Sequence, residues 1–591
     1  MSKEQGSESA VSCRQSIKED EMAEEKEAPK KVSRRQFVKG AAVGGAGVAA
    51  PGALASCAPA ATPTTAPEAA PTCPPAPTCP PAAECPAAAT PWLPEKWDYE
   101  ADVVCVGYGF AGVVSAITAY DAGAEVLILE KAPFEGGGNS HICGGACAGA
   151  ADVAGGAAYL RAASGGATPL DICQAWAEEA VKEDAWWTEM GIEHTTSVGP
   201  EYKVLPSSSS CLKLSAVGKG HEMWRVLDGH RKDRQIEVLF DTPAQELVQD
   251  PATKEILGVI ANSKGQKIAI KAKKAVALTT GGFLADEEMK IQFLRVYPFA
   301  HYGSILSTGD GIRMAQKVGA ALWHTNFVFG RTTMWFPELE PQTAAFNGGA
   351  TKSNNFIVVD IHGLRYTNEI MPSHGKALSL GDYDPNACEY TRIPSYLIFD
   401  ETARVAGAIS GSREVGYGAW TLPKEMGGRV MWSEDNSAEI AKGWIKKGDT
   451  IEAVAELLAE PTPAFEKWGL VPKIDAALLK ASVEKYNLAC ANQKDEEFGR
   501  PPETLLPIET PPFYGVPQWP GCSDCPAGPR KNAKAQVVDP DGKAIPRLYE
   551  AGVMGCVTAL LYTSSGGAMV TDCFTFGRIA GRNMAAETSW A

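Results

Sequence analysis

Three glycines, Gly107, Gly109 and Gly112, stand in G-x-G-x-x-G spacing, and a carboxylate, Glu130, follows the last of them by 18 residues. That spacing suits a chain that must pass close to a diphosphate. The first glycine permits a tight turn, the second lets the backbone approach the phosphates, and the third lets a helix pack closely on its strand. Phe110 and Ala111 lie between the second and third glycines, where the N–H groups and dipole of a helix start favour an anion. An acid about 20 residues further on can accept hydrogen bonds from ribose hydroxyls. The chemistry is dinucleotide binding. The elements that must hold these residues surround them. Val103 to Val106 is an apolar run suited to a strand buried on both faces. A helix follows from Val113 to about Ala122, with Gly123 as its left-handed end. Glu125 to Leu129 forms a second strand that ends on Glu130.

The chain has 591 residues, enough for two or three domains, and its 45% hydrophobic content suits a globular core. A net charge of -16 argues against nucleic acid and against anionic membrane surfaces as partners. No run of 18 apolar residues marks a membrane span. The 16 cysteines are ambiguous until the compartment is known. Residues 1–30 are polar and charged. Ser33-Arg34-Arg35-Gln36-Phe37-Val38-Lys39 and the small-residue stretch Gly40 to Ala53 resemble a twin-arginine export signal. Leu54-Ala55-Ser56-Cys57 resembles a lipobox, which implies lipidation of Cys57 and membrane association. Residues 1–57 are thus signal, and 58–97 an Ala/Pro/Thr-rich tether. Cys73, Cys79 and Cys85 recur within the tether and read as a low-complexity repeat. No C-x-x-C-H occurs, so no c-type haem is expected.

After Glu130 and Lys131 comes a glycine cluster, Gly136-Gly137-Gly138-Asn139-Ser140, and then Cys143-Gly144-Gly145. From this point the chain resembles the flavoprotein family of soluble fumarate reductases and 3-ketosteroid dehydrogenases. Further matches are Ile236 to Leu247, Ala272 to Phe283, Ser307-Thr-Gly-Asp310-Gly311, Gly363 to Glu369, Ile545 to Gly552 and Phe576 to Arg582. The resemblance implies an α/β fold, a Rossmann-like FAD-binding domain (98–324 and 506–591) with an inserted α+β capping domain (325–505). It implies FAD held by Gly107, Gly109, Phe110, Ala111, Gly112, Glu130, Lys131, Gly138, Asn139, Ser140, Gly144 and Gly145. Further along it adds Ala244, Thr280, Gly281, Gly282, Asp310, Glu550, Ala551, Gly566, Gly567, Met569 and Val570. The isoalloxazine would sit between the domains.

Fumarate reductases of this family grip a dicarboxylate with arginines and histidines, since two carboxylates require bidentate cations. Here Ser373 and Ser564 stand at the two arginine places. The histidines are missing from the Cys522 to Gly528 and Phe327 to Arg331 segments. Fumarate is therefore disfavoured, and a neutral enone such as a ketosteroid is expected. Tyr562 falls near the tyrosine that grips a ring carbonyl in ketosteroid dehydrogenases. Ser564 stands beside it, and His374 and Arg331 are candidate proton carriers. Cys522 and Cys525 read as thiols or a disulfide rather than a metal site. The alternatives are a reductase of an unsaturated carboxylate, such as an aryl acrylate, with Arg331 as counter-ion, and a flavin electron-transfer lipoprotein without its own substrate. With no haem and no nicotinamide motif, electrons would be exchanged with a membrane carrier.

Overall fold

The computed structural model describes residues 92–133, 136–326, 330–336, 346–347, 351–370, 379–410, 431–558 and 567–590. Along the chain, the elements that position the cleft begin with strand β1 (Tyr99–Val106), helix α1 (Phe110–Asp121), and strands β2 (Val126–Leu129), β3 (Glu237–Leu239) and β4 (Gln266–Leu278). Helix α2 (Asp310–Lys317) follows, then strands β5 (Arg331–Met334), β6 (Phe356–Val359), β7 (Ser395–Asp400), β8 (Phe513–Cys522) and β9 (Ala544–Glu550). Helix α3 (Ala568–Ala586) comes last.

The first sheet has the central order β9-β4-β1-β2-β3, all parallel. Strands Ala244–Gln249, Ile256–Ser263 and Gln536–Val538 extend it in antiparallel fashion. Val103, Val104, Cys105 and Val106 are buried, because a parallel central strand is covered on both faces. One face is covered by α1 and α3, which cross closely where a Cβ on Gly577 would touch Val114 at 3.1 Å and one on Gly581 would lie 2.6 Å from the Ser115 carbonyl. Arg578 ties α3 to the segment below it, donating to Glu179 at 2.9 Å and to Glu183 at 2.8 Å.

The second sheet runs β5-β8-β7-β6 and is antiparallel along this path. Its helices are capped as their sequences ask. Thr450 accepts from the Ala453 N–H at 3.1 Å ahead of Ile451–Leu458, and Asp475 accepts from Ala477 and Leu478 ahead of Ala476–Ala491. The strand pairing runs across the expected boundary at 505/506. β8 lies beyond it, yet β8 is the strand on which β5, β7 and Lys446–Gly448 all pair. Ala300–His301, assigned by sequence to the first domain, also pairs with β8. The second sheet thus draws on chain from both sides of the expected insert.

Candidate active site

The turn after β1 is built on two close approaches. Gly107 has φ +105°, and a Cβ there would lie 2.6 Å from the Thr279 carbonyl oxygen. A Cβ on Gly112 would lie 2.0 Å from the Gly107 carbonyl oxygen. Only glycine fits at either place. Thr279 closes the turn from β4 by donating its hydroxyl to Val106 O at 2.9 Å. Ser140 accepts from the Phe110 N–H at 2.9 Å, which fixes the glycine cluster against the start of α1. Gly109 caps α1 without a side-chain acceptor, and no acid stands in its first turn. Gly567 starts α3 in the same way.

Two cavities open along these elements. The first, about 830 Å³, is lined by Gly107, Gly109, Phe110, Ala111, Glu130, Lys131, Gly138, Asn139, Ser140, Ala244, Thr280, Gly281, Asp310 and Ala551. The second, about 880 Å³, is lined by Gly144, Gly567, Met569, Val570 and Arg331, with Tyr302, Cys522 and Asp524. They share the wall residues Phe110, Asn139, Ser140, Asp524, Val553 and Cys573. An extended ligand would therefore run from one into the other past these six.

The donor set fits FAD. Glu130 accepts from the Tyr108 N–H and the Ala132 N–H, each at 2.8 Å. A carboxylate has about four lone-pair sites, so two stay open for ribose hydroxyls. Burial pushes its carboxyl above the usual range, against the backbone N–H bonds and Lys131, which lower it. Lys131 reaches across to Thr308 at 2.6 Å and Asp310 at 2.8 Å, joining β2 to α2. Helix starts such as those of α1 and α3 suit phosphates and the electron-rich edge of a flavin.

Four expected cofactor residues do not line these cavities. Gly112 and Gly145 act through backbone packing; a Cβ on Gly145 would lie 2.5 Å from Lys219 Cα. Gly282 donates its N–H to Asp524 at 3.2 Å. Glu550 is fully buried beside Lys531 Nζ at 2.9 Å and makes an ion pair inside the core. Gly566, Tyr562, Ser564 and His374 lie outside the described residues.

Arg331, on the first residue of β5 opposite Gly521 of β8, is the sequence-predicted catalytic candidate that reaches the second cavity. Around it the wall is largely apolar: Phe110, Ala146, Val553, Met569 and Val570. Cys522 and Cys525 are buried thiols not joined in a disulfide; the Cys522 thiol donates to the Asp524 carbonyl at 2.8 Å, and burial pushes it up to about 12. Among the described residues no group of three or more His, Cys, Asp or Glu could hold a metal, and no helix is long and apolar enough to cross a membrane. Sequence reasoning missed Tyr302 and Asp524 as wall residues. Neither sits in a spacing that signals it, although Asp524 lies between the two cysteines that drew attention.

Residues 102–570 match the family described as FAD binding domain, and residues 31–51 match the twin-arginine translocation pathway signal sequence, which directs export by that route. The chain is 29% identical to urocanate reductase of Eggerthella lenta, over 84% of this chain and 77% of that protein. It is 25% identical to digoxin reductase of Eggerthella lenta, over 95% of this chain and 98% of that one. The fold is also that of the 3-ketosteroid delta1-dehydrogenase from Sterolibacterium denitrificans, with TM-score 0.70, 21% identity, and coverage of 83% of this chain and 100% of that one.

Proposed function

The chain belongs to the FAD binding domain family, and from that premise we propose that it moves hydrogen across a carbon–carbon bond conjugated to the carbonyl of a neutral, partly apolar compound such as a ketosteroid. It is an FAD-dependent oxidoreductase acting on CH–CH groups. The observation that carries the finer reading is the cation inventory of the second cavity. Among its described lining residues Arg331 is the one cation. One guanidinium matches one carbonyl oxygen, whereas a dicarboxylate needs two clamps, and serines stand at positions 373 and 564.

FAD, when bound, supplies hydride exchange at its N5. The chain supplies the rest. Arg331 donates N–H to the substrate carbonyl and stabilises the charge that develops there, an effect worth about 2.7–4 kcal/mol when such a donor is preorganised. The apolar walls exclude water and align the conjugated bond. The proton on the other carbon is assigned to Tyr562 or His374. Electrons pass to or from a membrane carrier, with the enzyme held near it through lipidated Cys57.

A second reading is favoured by the same residue: Arg331 could clamp one carboxylate bidentately, as an unsaturated monocarboxylate would require. Turnover with reduced viologen as electron donor separates the two. The proposal expects reduction of a 3-keto-Δ4 or Δ1,4 steroid or another neutral enone, and none of fumarate. Activity confined to urocanate or aryl acrylates would replace it with the carboxylate reading.

A further inference from the structure

Asp524 is the one carboxylate among the described residues that borders both cavities, so a cofactor extending from the first into the second passes directly beside it. Its residue is 2% exposed. Four groups converge on the carboxylate: Asn139 Nδ2 at 2.8 Å, the Cys525 N–H at 3.0 Å, the Gly282 N–H at 3.2 Å and Ser307 Oγ at 3.5 Å. All are neutral. The charged and titratable groups around it are otherwise engaged. Cys522 and Cys525 on its own segment are held as thiols by burial. His301, on the strand beside β8, is pushed down to about 3 by burial and so stays neutral. Lys131 and Asp310, across the first cavity, pair with each other at 2.8 Å. Arg331, opposite Gly521, and Tyr302, whose N–H donates to the Cys522 carbonyl at 3.1 Å, line the second cavity with Asp524, and neither is among the four donors on the carboxylate.

We propose that Asp524 holds a redox-linked proton, gaining it when the bound flavin is reduced and releasing it when the flavin is reoxidised. The reason is electrostatic. A buried carboxylate with neutral partners meets a ring system that gains negative charge on reduction, and two like charges in a dry wall do not coexist without one taking a proton. Oxidised FAD, the Asp524 carboxylate, two electrons and two protons become the reduced flavin anion, with one proton at N5, and a neutral Asp524. The electrons come from the reductant and the protons from solvent. Burial already pushes this carboxyl up to about 6 in the protein without a reduced flavin. Extra negative charge beside it moves the value higher still, so the second proton is taken up above that pH. Asp524 acts here as a positioning and proton-holding residue, distinct from the groups that touch the substrate.

The test is a spectroelectrochemical titration of the FAD-loaded full chain from about pH 5.5 to 8.5, a range that brackets the carboxyl's raised value. For the natural protein the midpoint potential should fall twice as steeply per pH unit above about pH 6 as below it. Asp524→Asn should give the shallower slope throughout, with flavin still bound. Parallel lines for the two proteins would overturn the proposal. So would steepening confined to the acid side, which would place the proton on the flavin. Should the variant fail to fold, the natural protein decides alone. Its reduced-minus-oxidised infrared spectrum should gain a carboxylic-acid carbonyl band that shifts in heavy water; a spectrum without that band contradicts the assignment.

Discussion

Lys531, Glu550 and Asp572 form a cluster with no exposed side-chain surface, Lys531 Nζ lying 2.9 Å from Glu550 and 2.8 Å from Asp572. Asp572 also accepts from the N–H groups of Gly552 at 3.0 Å and Val557 at 2.9 Å. It thereby fixes the loop that carries Val553, a residue on the wall of both cavities. Lys531→Met keeps the length of the stem and removes the charge, leaving two carboxylates buried together. Stripping a buried ion pair of one partner costs about 3–5 kcal/mol, a large share of a typical margin of about 5–15 kcal/mol. The melting temperature should drop by roughly 3–5 °C. Glu550 carries the larger part, because neither of its oxygens has a hydrogen-bond partner in the structure apart from the ion pair, whereas Asp572 keeps two N–H donors. Adding Glu550→Gln to Lys531→Met should therefore recover more than half of the loss. Glu550→Gln alone should leave flavin occupancy unchanged, since this side chain faces Lys531. Thermal unfolding followed by circular dichroism and flavin fluorescence measures all three. A Lys531→Met protein within about 1 kcal/mol of the natural one, below the smallest loss expected for a buried pair, would refute the reasoning. Loss of flavin from Glu550→Gln alone would also refute it.

Three further outcomes follow from single sites. Gly112→Ala places a Cβ 2.0 Å from the Gly107 carbonyl, an overpacking of about 1–3 kcal/mol; FAD affinity should fall roughly 10- to 100-fold in a flavin titration, and an unchanged affinity contradicts the role given to the turn. Arg331→Ala should lower kcat about 10²- to 10³-fold on an enone with normal FAD content, Arg331→Lys recovering part; an unaltered kcat removes Arg331 from the chemistry. Burial alone would raise Asp495, but its bonds to Arg365 at 2.8 Å and to the Arg500 N–H at 3.1 Å prevail and hold it down to about 2 against an ordinary 3.8. Its folded-state value is depressed, so its contribution is full above about pH 4 and is lost as pH falls toward 2. Asp495→Asn should therefore remove roughly 2 kcal/mol of stability at neutral pH and flatten this part of the acid limb; an identical acid limb in both proteins speaks against the assignment.

The dinucleotide turn was legible in the sequence because the demands there are local. Gly107 and Gly112 meet backbone within the same strand–turn–helix unit and the adjoining strand, so their spacing states the constraint. The ion pair of Glu550 was not legible, because an acid at a strand end followed by Ala-Gly looks the same whether it faces a cofactor or a lysine. The deciding partner, Lys531, is 19 residues upstream. The strand pairing across 505/506 was hidden for a related reason. Phe513 to Cys522 is apolar enough for either sheet, and only pairing with β5 and β7 assigns it. Asp524 draws its donors from positions 139, 282, 307 and 525, a convergence that no window of sequence contains.

The most direct test of the account is a single-turnover reoxidation. The FAD-loaded protein is reduced without oxygen, mixed rapidly with one acceptor at a time, and followed by flavin absorbance, with the organic product identified. The account predicts fast reoxidation by a neutral enone, with hydrogen added across its conjugated bond, and none by fumarate. Reoxidation by unsaturated carboxylates alone, or by small redox proteins with no organic acceptor consumed, would contradict it.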